Sequence, residues 1–174
     1  MNRLLVLLRG VNVSGHNKVP MAELRKVLTD AGFENVATYI QSGNIALDTG
    51  DDPSTTTDRI RQLLVEHFGV DVPVISVDQS TVAELLEAAP FDLDQNPAHQ
   101  LIYFPGAPVD IAGFEDLDTD RFVDDKITPT SAAVYVSYGH GQSKTKLTLN
   151  HLEKAASTNL TGRNVRTAIK LLNL

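Results

Sequence analysis

The sequence contains no cysteine, no tryptophan and only 2 methionines. Without cysteine the chain can form no disulfide, no zinc–thiolate site and no catalytic thiolate. It also lacks any apolar run of the roughly 18–20 residues that a membrane-spanning helix requires. The apolar run at residues 4–8 is followed at once by Arg9 and is shorter than the core of a secretory signal. We therefore expect a cytoplasmic protein that spans no membrane.

Charge is present but unevenly distributed. The composition, 42% hydrophobic and 21% charged, is typical of a folded globular protein, and the formal net charge of −7 disfavours binding to duplex nucleic acid. Residues 76–125 carry 12 acidic side chains and a single arginine, whereas residues 126–174 carry 7 basic side chains and a single glutamate. A basic region in an acidic protein indicates either a local anion site or a solvated basic face.

The first 77 residues show the pattern β-α-β-β-α-β. Strands are predicted at 4–8, 36–41, 45–48 and 72–77, and helices at 21–31 and 53–68. Asp52-Pro53 is a helix start signal and Gly69 a stop signal. This order is that of the ferredoxin-like, or split βαβ, arrangement, in which two helices cover one face of an antiparallel sheet.

The second half resembles a looser copy of the first, in element order alone. After a helix near Ser80, strands are predicted at 101–104, 122–127 and 132–138, and helices at 110–117, at 147–156 and from Val165 onward. The predicted fold class is α+β, with two tandem ferredoxin-like subdomains (alpha-beta plaits). They comprise residues 1–77 and 78–174, with the boundary between 77 and 99.

Three polar stretches stand out as candidate binding elements. The loop at 9–18 follows a strand and precedes a helix, where a phosphate cradle would sit. Gly10 and Gly15 have the spacing of a P-loop, but His16-Asn17 stands where that motif needs lysine and a hydroxyl, so a nucleoside triphosphatase is not indicated. The glycines are equally consistent with a simple turn.

The second stretch is the hairpin turn at 39–44, which crowds hydrogen-bonding side chains at its tip. The third consists of residues 143–148 and 162–167, which place lysines, arginines and hydroxyls close to predicted helices. Such groups suit a carboxylate or phosphate, although solvated lysines beside a helix cap would give the same pattern.

These stretches carry a family resemblance that covers essentially the whole chain. The motifs Leu-Leu-Arg-Gly-Val-Asn-Val at 7–13, Tyr-Ile-Gln-Ser-Gly-Asn at 39–44 and Lys-Leu-Thr at 146–148 closely resemble the bacterial family called domain of unknown function 1697. The resemblance implies two tandem ferredoxin-like subdomains and brings no reaction. The family's polar positions that match here are Arg9, Asn12, Asn17, Lys18, Gln41, Ser42, Asn44, Lys146, Arg163 and Asn164.

The chain departs from the family pattern at two places. His16 stands where lysine is common, and Val165-Arg166 replaces the Trp-Asn of the closing motif, so no role of that tryptophan carries over.

Our leading functional hypothesis is that the protein binds a small anionic or polar ligand. The site would gather loop 9–18, turn 41–44 and the basic C-terminal region. Arg9, Asn12, Gln41 and Asn44 would converge on one concave surface, with Lys146 or Arg163 contributing from the second half. The alternative for the same residues is that Arg9 and the amides bind main-chain carbonyls and only fasten the loop.

Two other functions remain open from the sequence. One is an enzyme acting on a phosphate- or carboxylate-bearing metabolite, with Lys146 and Arg163 as electrostatic clamps. The other is a single-stranded nucleic-acid-binding module that stacks bases on the strand aromatics Tyr103, Phe104, Tyr135 and Tyr138. The scattered histidines predict no metal site, and no motif predicts a cofactor. Catalytic residues and oligomeric state are not indicated.

Overall fold

A computed structural model describes all 174 residues, which form two compact units. Unit 1 comprises Met1–Ala83 and Lys170–Leu174, and unit 2 comprises Glu84–Ile169. The chain is α+β, as predicted, with two four-stranded antiparallel sheets and five α-helices. None of the helices combines the length and the hydropathy that crossing a membrane requires.

Unit 1 has a sheet with strand order β2-β3-β1-β4. Its elements are β1 (Asn2–Leu8), α1 (Met21–Asp30), β2 (Glu34–Tyr39), β3 (Asn44–Thr49), α2 (Pro53–Phe68) and β4 (Val74–Asp78), followed at the unit boundary by α3 (Gln79–Glu87). The predicted order of elements is therefore confirmed in this unit. β1 and β3 are the central strands and pair directly, so the loop after β1 and the turn before β3 lie at the same end of the sheet.

The core of unit 1 is formed by apolar side chains that repeat every second residue along a strand and every three to four residues along a helix. Leu4, Val6 and Leu8 alternate along β1 and face the core, which also receives Leu24 and Leu28 from α1. These side chains are essentially fully buried, and each such burial contributes about 1.5–3 kcal/mol.

The second helix of unit 1 shows why its ends were predictable. Asp52 caps the helix by accepting a 2.9 Å hydrogen bond from the Thr55 main-chain N–H. Hydrogen bonds from Thr55 also hold the pKa of the Asp52 carboxyl below its usual value. Gly69 ends the helix in the left-handed conformation, which a residue without Cβ adopts without strain.

Unit 2 has a sheet with strand order β6-β7-β5-β8. Its elements are β5 (Gln100–Pro105), β6 (Asp125–Pro129), β7 (Val134–Tyr138), α4 (Leu149–Ala156), β8 (Leu160–Asn164) and α5 (Val165–Leu171), the last two residues of which belong to unit 1. Leu101 and Tyr103 from β5, Val136 from β7 and Leu152 from α4 meet in its core.

The structure differs from the predicted second half in three elements. The helix predicted at 110–117 is only a 3-10 turn at Ala112–Phe114, and the strand predicted at 122–127 begins at Asp125 because Thr119–Phe122 forms another 3-10 turn. Strand β8 was not predicted. Its Gly162 lies against the Tyr103 ring, and an added Cβ would approach the ring Cε1 to 2.5 Å, so packing requires glycine here. The same glycine lowers the strand preference of the segment, which is why the pattern did not predict β8.

Candidate functional site

The loop after β1 and the turn between β2 and β3 are joined in the structure. The Leu8 main-chain N–H donates to the Gly43 carbonyl at 2.8 Å. Gly43 has φ +76°, and an added Cβ would lie 2.6 Å from the Leu8 Cβ and 2.8 Å from the Val11 Cγ2. Only glycine fits this close approach. We call residues 9–18 together with residues 40–44 the N-terminal polar cluster.

Asn12 connects the two parts of the N-terminal polar cluster. Its Nδ2 donates to the Val19 carbonyl at 2.9 Å and to the Gln41 carbonyl at 2.8 Å. Its Oδ1 accepts from the Val19 N–H at 2.8 Å. The Asn12 amide therefore fixes the loop to the turn through the main chain of both.

Two further asparagines of the predicted site also bind within the cluster. The Asn17 Nδ2 donates to the Gly10 carbonyl at 2.9 Å. Asn44 is fully buried, and its Nδ2 donates to the Tyr39 carbonyl at 3.1 Å and to the Ser42 Oγ at 2.9 Å. These contacts match the fastening alternative for the three asparagines Asn12, Asn17 and Asn44.

The outer side chains of the cluster carry the chemistry that could meet a ligand. His16, Lys18, Gln41 and Ser42 are exposed and Arg9 is half-buried. The loop at 9–18 contains no aspartate or glutamate. The cluster therefore presents basic and hydrogen-bonding groups without a competing carboxylate in the loop, an arrangement that attracts anions.

The remaining predicted site residues lie in unit 2, in two different places. Lys146 is exposed and lines a cleft beside the start of β6. Arg163 and Asn164 lie on β8, at the opposite edge of that sheet. The Asn164 Oδ1 accepts from the Thr167 N–H at 2.9 Å at the start of α5, a capping role. The addition of Lys146 or Arg163 to the N-terminal polar cluster stays a prediction.

Arg163 is held differently from the exposed cations. Its Nη1 donates to the Gly162 carbonyl at 2.9 Å. Burial lowers the pKa of its guanidinium to about 10, so the group remains a cation at neutral pH.

The strand aromatics proposed as a base-stacking platform are inside the protein. Tyr103, Phe104, Tyr135 and Tyr138 are each at most 2% exposed. The Tyr103 and Tyr138 hydroxyls are 2.6 Å apart, and burial raises the pKa of both phenols. These four rings offer no exposed stacking surface of the kind that RNA-recognition sheets use.

The sequence reasoning missed the other residues around the cleft of Lys146. Arg121, Asp124 and His140 line it, and none of the three is among the predicted site residues. The sequence does contain a signal for a basic loop at this place, because two glycines and two lysines follow β7 within ten residues. No group of three or more histidine, aspartate or glutamate side chains is placed to hold a metal ion.

Comparison with known proteins places this chain in a family. No curated protein matches it. Among solved structures, it is similar to the conserved bacterial protein SP0830 from Streptococcus pneumoniae, with a TM-score of 0.71 and 25% sequence identity over 99% of this chain and 97% of that one. The family described as "Protein of unknown function (DUF1697)" matches residues 1–135, which is most of the sequence. The chain therefore belongs to the DUF1697 family, as its motifs predicted.

Proposed function

We propose that this protein binds a small anionic or polar ligand, with the N-terminal polar cluster as the binding surface of unit 1. The proposal rests on the backbone conformation of the loop at 9–18. φ is positive at Gly10, Asn12, Ser14, Gly15 and Asn17. Asn12 and Asn17 adopt this conformation readily, whereas it costs Ser14, and Ile40 in the turn at φ +50°, about 1–2 kcal/mol each. Such strain persists only where surrounding contacts over-determine it, and it is concentrated at functional sites in proteins.

The side chains of the loop support an anion as the ligand. Two of its main-chain N–H groups are already used within the loop, because Asn12 donates to the Asn17 carbonyl at 3.0 Å and His16 donates to the Val13 carbonyl at 2.9 Å. Lys18 and His16 add side-chain donors at the same loop, and Gln41 and Ser42 add donors from the turn. In this proposal the buried amides position the loop, and the exposed groups contact the ligand.

For the fold, we propose that each unit is a ferredoxin-like subdomain. The two sheets correspond strand for strand: the first strand of each unit is central, the third lies beside it, and the second and fourth are the edges. Unit 1 has α1 and α2 at the two helical positions. In unit 2 the 3-10 turns take the place of the first helix, and α4 takes the second. The cytoplasmic location stays a prediction.

The experiment is an amide NMR titration of the whole chain with inorganic phosphate and with citrate. We expect the amide resonances of residues 10–18 and 41–44 to shift in a saturable way. Lys18→Gln should weaken this binding by about threefold or more, equivalent to about 0.7 kcal/mol. Lys26→Gln, which removes an exposed lysine from α1, is the matched control and should leave binding unchanged. Shifts that stay absent from both segments would contradict the proposal.

The variant Arg9→Met tests whether Arg9 contacts the ligand or only fastens the loop. If Arg9 contacts the ligand, the variant should keep its free energy of unfolding and lose the NMR response. If Arg9 only fastens the loop, the free energy of unfolding should fall by about 1–3 kcal/mol while the response persists.

A further inference from the structure

Unit 2 contains a polar cleft of about 420 Å³. One wall is formed by residues 120–125, which run into β6, and the other by the loop between β7 and α4, including His140, Lys144 and Lys146. A cavity of this volume is within the usual range for sites that hold a small metabolite. We call it the unit-2 cleft.

The loop that forms the second wall is fixed by Asp125. One carboxylate oxygen of Asp125 accepts from the Gly139 N–H at 3.2 Å, and the other accepts from the Thr145 hydroxyl. The Thr145 Oγ1 in turn accepts from the Leu147 N–H at 2.9 Å. Both ends of the loop are therefore held to the start of β6, and the cleft exists before any ligand arrives.

Some charged side chains of the unit-2 cleft have partners within the protein, and others form no salt bridge. Asp125 is occupied by the loop, and Asp124 lies 3.5 Å from the His140 Nε2. Arg121, Lys144 and Lys146 line the same cleft and form no salt bridge. Three cations thus surround a cavity in which the Asp125 carboxylate is already bound within the protein and the Asp124 carboxylate lies beside an exposed imidazole.

The third carboxylate of the cleft, Asp120, is exposed and makes no hydrogen bond or ion pair within the protein. A carboxylate of this kind accepts hydrogen bonds from hydroxyl groups. The unit-2 cleft therefore offers unpaired cations for one part of a ligand and an unpaired acceptor for another.

We infer that the unit-2 cleft binds a phosphate monoester of a hydroxylated metabolite, such as a sugar phosphate. A phosphate monoester carries about −1.5 to −2 charges at neutral pH and three acceptor oxygens, which suits three unpaired cations better than a single carboxylate does. Lys144, Lys146 and Arg121 bind the phosphate, and Asp120 accepts hydrogen bonds from the sugar hydroxyls. The inference uses only unit 2 and does not depend on the N-terminal polar cluster.

The test is a calorimetric titration of the whole chain with ribose 5-phosphate, inorganic phosphate and ribose. We expect saturable binding of ribose 5-phosphate, at least about tenfold tighter than inorganic phosphate, and no binding of ribose. Amide NMR should place the response at residues 120–125 and 139–147. If the NMR response instead falls on residues 10–18, the inference is wrong and the function proposed for unit 1 gains support.

Charge-matched variants decide whether the cleft itself is responsible. Lys144→Gln and Lys146→Gln should each weaken ribose 5-phosphate binding by about tenfold, or about 1.4 kcal/mol. Lys126→Gln removes an exposed lysine on β6 that does not line the cleft, and it should change the affinity by less than about twofold. Equal losses in all three variants would show non-specific attraction to a basic surface and overturn the inference.

Asp120→Asn tests the second half of the ligand. The variant should bind inorganic phosphate at least as well as the original protein while losing most of the preference for ribose 5-phosphate. An unchanged preference would mean that Asp120 does not contact the sugar. Absence of ribose 5-phosphate binding by the original protein at about 10 mM ligand would refute the inference as a whole.

Discussion

At the scale of single residues, the core of unit 2 contains a buried polar pair. The Tyr103 and Tyr138 hydroxyls bind each other at 2.6 Å, and the Gln142 Nε2 donates to the Tyr103 hydroxyl at 3.2 Å. Each ring is about 2% exposed. A buried phenol resists ionisation because the charged form loses its hydration, and the pKa of both groups is accordingly above its usual value.

This pair makes stability depend on pH in the alkaline range. Since the folded-state pKa is raised, the phenols bind protons more tightly in the folded protein, and stability falls as the pH rises above about 10, the unfolded value. Tyr138→Phe should lower the free energy of unfolding by about 1 kcal/mol near pH 7 but make its decline above about pH 10 shallower. Urea unfolding from about pH 7 to about pH 11 measures both effects.

Tyr39→Phe is the control, because it removes the same atom from a half-buried position on β2. It controls for the loss of one phenolic oxygen outside the buried pair, and the alkaline slopes of the two variants are compared directly. A Tyr138→Phe slope that matches the original protein would contradict the role assigned to the buried pair.

The sequence located the residues of the N-terminal polar cluster but could not distinguish their roles. The sequence placed Asn12 and Gln41 in polar segments next to predicted strands of the same subdomain, but which ends of those strands meet was not readable from it. The bond from the Asn12 Nδ2 to the Gln41 carbonyl joins residues 29 positions apart and depends on a φ of +54° at Asn12. Neither this long-range hydrogen bond nor the φ of Asn12 is encoded in a local pattern, which is why fastening stayed open as an alternative to binding.

At the scale of elements, local signals predicted unit 1 better than unit 2. α2 starts and ends at residues whose own chemistry dictates a cap, Asp52 and Gly69. β8, by contrast, is a strand because β5 offers hydrogen bonds along Leu101 to Pro105, and its own sequence Leu-Thr-Gly-Arg-Asn has little strand preference. Elements that depend on a distant partner are those that sequence patterns miss.

The turn between β2 and β3 gives an element-scale prediction based on two glycines. Gly43 and Gly10 have φ of +76° and +70°, but only Gly43 has neighbours in the space that a Cβ would occupy. Gly10→Ala should cost about 1–2 kcal/mol for the backbone conformation alone. Gly43→Ala should cost a further 1–3 kcal/mol or so, because the Leu8 and Val11 side chains must also move.

Chemical denaturation of the two variants side by side measures this difference, with Gly10→Ala serving as the internal control. Equal losses of stability would show that the close approach of the turn to β1 is accommodated without strain. The amide spectrum of Gly43→Ala should also change along loop 9–18, because the Leu8–Gly43 hydrogen bond is at the base of that loop.

At the scale of the whole molecule, the negative net charge disfavours binding to polyanions such as duplex nucleic acid. The chain carries 22 acidic and 15 basic side chains, a net charge of −7. Affinity for duplex nucleic acid depends on neutralising many phosphates at once, which this balance opposes. In about 150 mM salt we expect a dissociation constant no tighter than about 10⁻⁴ M for duplex DNA.

Fluorescence anisotropy with a labelled duplex measures that affinity. A submicromolar dissociation constant at the same salt concentration would show that the 7 basic side chains of residues 126–174 act independently of the acidic remainder. Repeating the titration in lower salt should strengthen any residual binding, since the interaction is electrostatic.

The return of residues 170–174 to unit 1 has a consequence for synthesis on the ribosome. The Arg3 Nη2 donates to the Leu174 main-chain oxygen at 2.8 Å, and the Gln79 Nε2 donates to the Leu172 carbonyl at 3.0 Å. Translation proceeds at about 5–20 residues per second, so these partners emerge many seconds after β1 does. Unit 1 is therefore synthesised first, but it can form these two hydrogen bonds only after residues 84–169 have left the exit tunnel.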